Sequence, residues 1–343
     1  MRKESRLRPK WPQIAPWAKA FSPKPLQRLA MPDGSAFGKR LLPRGLLSFA
    51  QSDSVVLILL LFFPLLLFSV PYPPLRGPVE PYISGDTFRA RCDHAYDEIT
   101  RFIPHLVKQG ETVFINGDLL GEFFSRHHPW IRFPYILISH NTDCAIPGPY
   151  ASYLDDPKIL AWFTQNPDGT LHPKLHPLPI GVENRHWKRR NVETIAAINA
   201  LHLPKTHLLY CNFNAKTYPL ERNLVEALFA NAPFTLYQRR VNQEESFEPY
   251  IREIASSQFV LAPRGNGLDT HRLWETLYMG SYPIIKTSSL DPLLEGLPVV
   301  IVADWNDVTE EFLHSKYEEF QKKTFNLEKL YTNFWFQWID SYK

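Results

Sequence analysis

Two arginines, a glutamate and a pair of glycines crowd into residues 264–275, RGNGLDTHRLWE. Arg264 and Arg272 supply positive charge in the planar, forked form suited to bidentate phosphate contacts. Gly265 and Gly267, either side of Asn266, allow a ligand to approach the backbone closely. Asp269 or Thr270 can cap a helix here, and a helix N-terminus offers unpaired N–H groups and partial positive charge to a phosphate. Glu275 follows Arg272 by three residues, on the same helix face, where a carboxylate can accept hydrogen bonds from ribose hydroxyls. Together these residues have the makings of a grip for a nucleoside diphosphate. Spacing alone equally allows a surface ion pair between Arg272 and Glu275, a solvated Arg264 and glycines that only turn the chain. The stretch is not a Walker loop, because GK[ST] is missing.

Such a grip needs a scaffold. The apolar run 259–262 predicts a short buried strand, stopped by Pro263 and followed by the glycine turn. A helix is predicted from there to about Met279, with Gly280 where a left-handed C-cap would sit. A second apolar run, 282–285, predicts the next strand. Strand, turn, helix, strand is a βαβ unit and implies a parallel sheet. The same alternation precedes it. Strands are predicted at 112–115, ending in Asn116-Gly117-Asp118, and at 135–138, ending in Ser139-His140-Asn141-Thr142-Asp143. Further strands fall at 159–164, 175–180, 208–211, 235–237 and 299–302, and helices at 86–107, from 119, and at 192–203. Residues 327–342 carry an aromatic stripe at four-residue steps, Leu330, Phe334 and Trp338, which reads as core packing. The chain is therefore α/β. Ligands of open α/β sheets bind beyond the carboxyl ends of strands, so the polar tips are the candidate site.

The 257–286 stretch resembles the C-terminal signature of the exostosin-like glycosyltransferases. Phe259, Pro263, Gly265, Arg272, Glu275, Gly280, Pro283 and Ile284 carry that resemblance. It covers roughly the last third of the chain. It implies a GT-B-like pair of Rossmann-type domains facing a central cleft. It also implies a UDP- or GDP-linked sugar donor, bound mainly by the C-terminal domain, a glycan or glycoconjugate acceptor, and transfer that inverts the anomeric centre. Three alternatives stay open. One is a fucosyltransferase-like enzyme, which also places a glutamate on a donor-site helix. The others are a nucleotide-sugar-binding protein without turnover and a membrane-tethered interaction protein.

Glycosyl transfer needs a base for the acceptor hydroxyl and positive groups for the departing diphosphate. His140 and Asp143 are the first candidates for the base, then Asp118, then Glu183, although each also suits a turn or cap. Arg264 and Arg272 are the leaving-group candidates, with Arg222 a third. Asn212 and Asn214 either line the donor pocket or form an Asx turn. No metal or cofactor is expected. DxD is absent, Asp155-Asp156 precedes a proline, and prolines interrupt the helix that would align His172 with His176.

The 343 residues, 44% hydrophobic and 14% aromatic, suffice for a large core. A net charge of +3 gives no indication of nucleic-acid binding. Cys92, Cys144 and Cys211 form neither a zinc pattern nor a disulfide framework. Residues 1–54 hold eleven Lys or Arg against Glu4, Asp33 and Asp53, and are expected to lack order. Residues 55–70 are uncharged, and the segment 55–72 approaches the length of a membrane span. Its basic flank predicts a single-pass signal-anchor with a cytoplasmic N-terminus, with a cleaved signal peptide and a buried core helix as the rival readings. After a linker at 73–79, the expected divisions are an acceptor-side domain at 80–204, a donor-binding domain at 205–326 and a C-terminal helix at 327–343.

Overall fold

The computed structural model describes residues 76–187, 191–238 and 247–343. The basic segment 1–54, the hydrophobic segment 55–72 and the start of the linker lie outside them. Among the described residues no helix is long and apolar enough to cross a membrane.

Ten strands form two parallel sheets of five. The first contains β1 (His94–Tyr96), β2 (Thr112–Asn116), β3 (Tyr135–His140), β4 (Ile159–Thr164) and β5 (Leu175–Pro177), side by side in chain order. Every residue of β2 and β3 is buried. Their centres, residues 113–115 and 135–138, are accordingly apolar runs, as expected of strands covered on both faces, with polar residues at the strand ends. The second sheet contains β6 (His207–Cys211), β7 (Thr235–Tyr237), β8 (Ser257–Leu261), β9 (Tyr282–Lys286) and β10 (Val300–Val302), in the order β10-β9-β8-β6-β7. From β6 the chain moves outward to β7, then returns to the other side of β6 to form β8. That reversal opens a crevice at the carboxyl ends of β6 and β8, the position where open parallel sheets bind ligands.

Among the described residues, the longer helices that flank the sheets are α1 (Gly85–Arg91), α2 (Val192–Ala200), α3 (Pro219–Phe229), α4 (Phe247–Ser256), α5 (His271–Tyr278), α6 (Glu310–Lys322) and α7 (Thr332–Asp340). The amphipathic α4 packs on α2 and α5. From Arg272 to its end α5 is buried throughout, which makes it an internal strut rather than a surface helix. Gly280 stops it with φ of +66°, while Ser281 N–H reaches back to Thr276 O at 3.1 Å. One continuous core joins the two halves through Phe114, Ile138, Trp274, Tyr278 and Trp335. The last helix, α7, lies on the first sheet's side: Phe336 meets Phe88 at 5.6 Å and Trp338 meets Phe163 at 5.3 Å. The result is a pair of parallel α/β layers whose strand ends line one cleft; among the described residues, only the second sheet has the strand-order reversal of a doubly wound fold.

Local order differs from expectation in two places. The helix predicted over 86–107 ends at Arg91. Asp97 Oδ1 accepts the N–H groups of Ile99 and Thr100 at 3.0 and 2.8 Å, closing a turn, and the chain before it joins the sheet as β1. Ile99 and Leu106, two of the residues behind that prediction, are 44% and 53% exposed. The second difference is α2, which packs on α4 of the second half although it precedes residue 205.

Candidate functional site

The carboxyl ends of both sheets line a cleft of about 680 Å³. Arg272, in the first turn of α5, reaches it from the C-terminal side and is 6% exposed. Its guanidinium carbon lies 5.2 Å from the Tyr250 ring centre and 6.0 Å from that of Phe213. Among the described residues, the buried Nη1 has no hydrogen-bond acceptor. Buried polar groups in folded proteins are nearly always paired, so an orphaned guanidinium nitrogen marks a place for an external acceptor. Asn212 Oδ1, on the same wall, is likewise buried without a donor.

The other residues of the expected donor grip divide sharply. Gly265, Asn266 and Gly267 line the cleft. Gly267 has no room for a side chain: a Cβ would lie 2.8 Å from Asn166 Nδ2 and 3.0 Å from Asp143 Oδ1, across from it on the first half. Glu275, expected to hold a ribose, is fully buried and accepts the Tyr250 hydroxyl at 2.9 Å. It does not line the cleft and acts from beneath, holding one of the rings that flank Arg272. Arg264 turns away. It stacks on Tyr218 at 4.4 Å, donates to Asn266 O at 3.1 Å and lines a separate cavity of about 210 Å³. Arg222 spends its guanidinium on backbone carbonyls: Nε on Arg264 at 2.7 Å, Nη1 on Asn214 at 2.8 Å and Nη2 on Pro263 at 3.1 Å. It staples the loops after β6 and β8 and so shapes the crevice. Asn214 forms an Asx turn with Lys216 N–H at 3.0 Å.

Asp269 is a tether rather than a ligand. Its carboxylate is buried and accepts Ile180 N–H at 2.7 Å, Thr270 N–H at 2.8 Å and Trp274 Nε1–H at 2.9 Å. Its own N–H donates to Asn166 Oδ1 at 2.8 Å. Ile180 and Asn166 belong to the first half, so this residue fixes the two walls against each other. Loss of hydration pushes its carboxyl up to about 7, against the opposing pull of those hydrogen bonds.

On the N-terminal wall, His140 is 1% exposed. Nε2–H donates to Pro179 O at 3.0 Å and Nδ1 accepts Asn141 N–H at 2.8 Å. Burial lowers its pKa to about 4. A neutral ring with both nitrogens engaged cannot take an acceptor proton, so the expected base role fails on geometry. Asp143 and Asp118 are exposed at the cleft, and Asp118 Oδ1 accepts the Thr142 hydroxyl at 2.5 Å. Glu183 lines the cleft as well.

The sequence-based candidates omit a cluster that the fold assembles here. His186 Nδ1 lies 3.0 Å from Asp86 Oδ2, and Asp86 N–H donates to Asn184 Oδ1 at 2.8 Å. Arg76 Nη1 approaches Asp86 at 3.9 Å and Asp97 at 3.7 Å, while Nη2 meets Glu98 at 3.1 Å. Asp86 and His186 are separated by 100 residues, so no local pattern links them. The one available signal was the polar tip at residues 181–184, two positions short of the histidine. Among the described residues, no group of three or more His, Cys, Asp or Glu side chains is arranged to hold a metal ion.

No family model matches the chain, and no curated protein matches it. Several solved structures are similar. One, an alpha1,3-fucosyltransferase, is 10% identical with a TM-score of 0.36, over 72% of this chain and 92% of that one. Another, from a GtfA/B complex, is 13% identical with a TM-score of 0.29, over 68% of this chain and 55% of that one.

Proposed function

We propose that this protein is an exostosin-like glycosyltransferase, moving a sugar from a UDP- or GDP-linked donor to a hydroxyl of a glycan or glycoconjugate, without a metal and with inversion. The observation that carries the reading is Arg272. A permanent cation between two aromatic faces, at the first turn of a buried helix, lines a cleft at a topological switch point, and one of its nitrogens is buried with no hydrogen-bond partner among the described residues. An unpaired buried charge costs more than the ~1–3 kcal/mol of a neutral group. A diphosphate oxygen removes that cost, and the α5 N–H groups add to it. In the transfer step this ensemble stabilises the negative charge developing on the departing nucleoside diphosphate. The signature residues Phe259 to Ile284 that suggested the family build this β8-α5-β9 unit.

The test is thermal unfolding of the full chain with UDP, GDP and their sugars. A ligand at about 100 times its Kd stabilises by about 2.7 kcal/mol. Arg272→Ala is expected to remove about 2–3 kcal/mol of binding, the worth of charge-assisted hydrogen bonds, and Arg272→Lys to restore only part of it. If neither nucleotide shifts the parent protein, the reading is wrong.

A further inference from the structure

The function proposed above needs a base for the acceptor hydroxyl; His140 is closed off on both ring nitrogens, and the carboxylates of Asp118, Asp143 and Glu183 stand at the cleft. The cleft contains a second histidine in a different state. His186 follows the polar tip after β5, in a short turn (Arg185–Trp187) on the N-terminal wall. Its Nδ1 is 3.0 Å from the carboxylate of Asp86, in the first turn of α1. Its Nε2 has no hydrogen-bond partner among the described residues, and the side chain, 10% exposed, belongs to a residue that lines the cleft. Asp86 is 1% exposed and held in place by Asn184 through its own N–H. A buried carboxylate that accepts Nδ1–H fixes the imidazole in the tautomer whose Nε2 carries a lone pair, and stabilises the imidazolium once that atom gains a proton.

We propose that His186 is the general base of the transfer reaction and that Asp86 is its positioning residue. The inference rests on the transferase reading. The acceptor hydroxyl binds on the N-terminal wall within reach of Nε2. Its oxygen attacks the anomeric carbon of the donor while its proton passes to Nε2. The bond from that carbon to the diphosphate oxygen breaks, and its electron pair leaves with the diphosphate, against Arg272. The imidazolium then returns its proton to solvent.

The experiment measures nucleoside diphosphate release by the full chain with UDP-glucose, UDP-galactose, UDP-N-acetylglucosamine, GDP-fucose and GDP-mannose, with and without an oligosaccharide acceptor panel. Diphosphate binding is followed separately by thermal shift. His186→Gln is expected to lower kcat about 10²–10⁴-fold, the range of general-base catalysis, while the shift given by UDP or GDP stays as in the parent. In His186→Ala, added imidazole is expected to restore part of the rate, which a merely structural histidine would not allow. Asp86→Asn is expected to lower kcat with the donor KM unchanged. Parent-like turnover in His186→Gln overturns the assignment, and so does a parent that binds diphosphate but turns over no donor. Absence of any diphosphate shift in the parent is a different result: it removes the transferase reading, and this inference with it.

Discussion

At the residue scale, two buried groups, His140 and Asp269, and the half-buried His176 carry opposite pH dependences. Burial lowers His140 and His176 from 6.5 to about 4. The stability they contribute is complete above about 6.5 and is lost as pH falls through about 4. Asp269 is raised from 3.8 to about 7, so its contribution is complete below 3.8 and is lost as pH rises through about 7. Between pH 6.5 and 4 the two histidines oppose the one aspartate. His176 packs among Phe163, Trp338 and Tyr342, with ring centres 4.9–5.2 Å away, so phenylalanine suits the site. His176→Phe should make the loss of thermal stability on acidification shallower. Asp269→Asn should make it steeper and also cost about 2–3 kcal/mol at neutral pH, since an amide cannot accept from all the donors now facing the carboxylate. Urea midpoints measured from pH 4 to 8 separate these outcomes. Identical profiles for the parent and both variants would contradict the protonation states assigned here.

At the element scale, the glycine turn after β8 shows why α5 points where it does. Asn166 Nδ2 donates to Thr142 O at 2.9 Å, and its Oδ1 accepts Asp269 N–H at 2.8 Å. One side chain therefore holds the end of β3 and the approach to α5 together, and Gly267 leaves the space it occupies. Gly267→Ala forces that amide aside. The expected cost is about 1–3 kcal/mol, as for other overpacked sites. Because the turn also lines the cleft, weaker UDP or GDP binding should accompany it. Denaturation and ligand titration of the same variant check both. Unchanged stability would mean that the two halves do not depend on this contact.

At the scale of the molecule, the cleft is electrically two-sided. Asp118, Asp143 and Glu183 stand on the N-terminal wall, while Arg272 and the start of α5 stand on the other. A donor diphosphate is drawn to the second wall, and an anionic acceptor is repelled by the first. Neutral oligosaccharide acceptors should therefore outperform uronic-acid or sulfated analogues in kcat/KM, about tenfold at low salt. The gap should narrow as ionic strength rises and screening shortens the reach of the carboxylates. Competition assays between matched acceptors at 20 mM and 500 mM salt, values of the order that move the Debye length from about 30 Å toward 3 Å, test this. A preference for anionic acceptors would place the acceptor elsewhere.

The strands were legible in sequence because strands buried on both faces carry an apolar run through their centres, and β2, β3, β4, β8 and β9 do so, with their polar residues toward the ends. The βαβ unit was legible from Pro263, the glycine turn and Gly280, which act through local backbone geometry. The Arg272 site was half legible: its charge and helix position are written in the chain, but not the rings of Phe213 and Tyr250 that flank it. Local pattern could not tell which of Arg272, Glu275, Arg264 and Asp269 faces the cleft, because one buried helix has no solvent side to betray its orientation. That was decided by packing between the two sheets, which turned Glu275 inward and spent Asp269 on the other half. Nor could it join Asp86 to His186, since only the folding of α1 against the end of the first sheet brings residues 100 positions apart to within 3.0 Å.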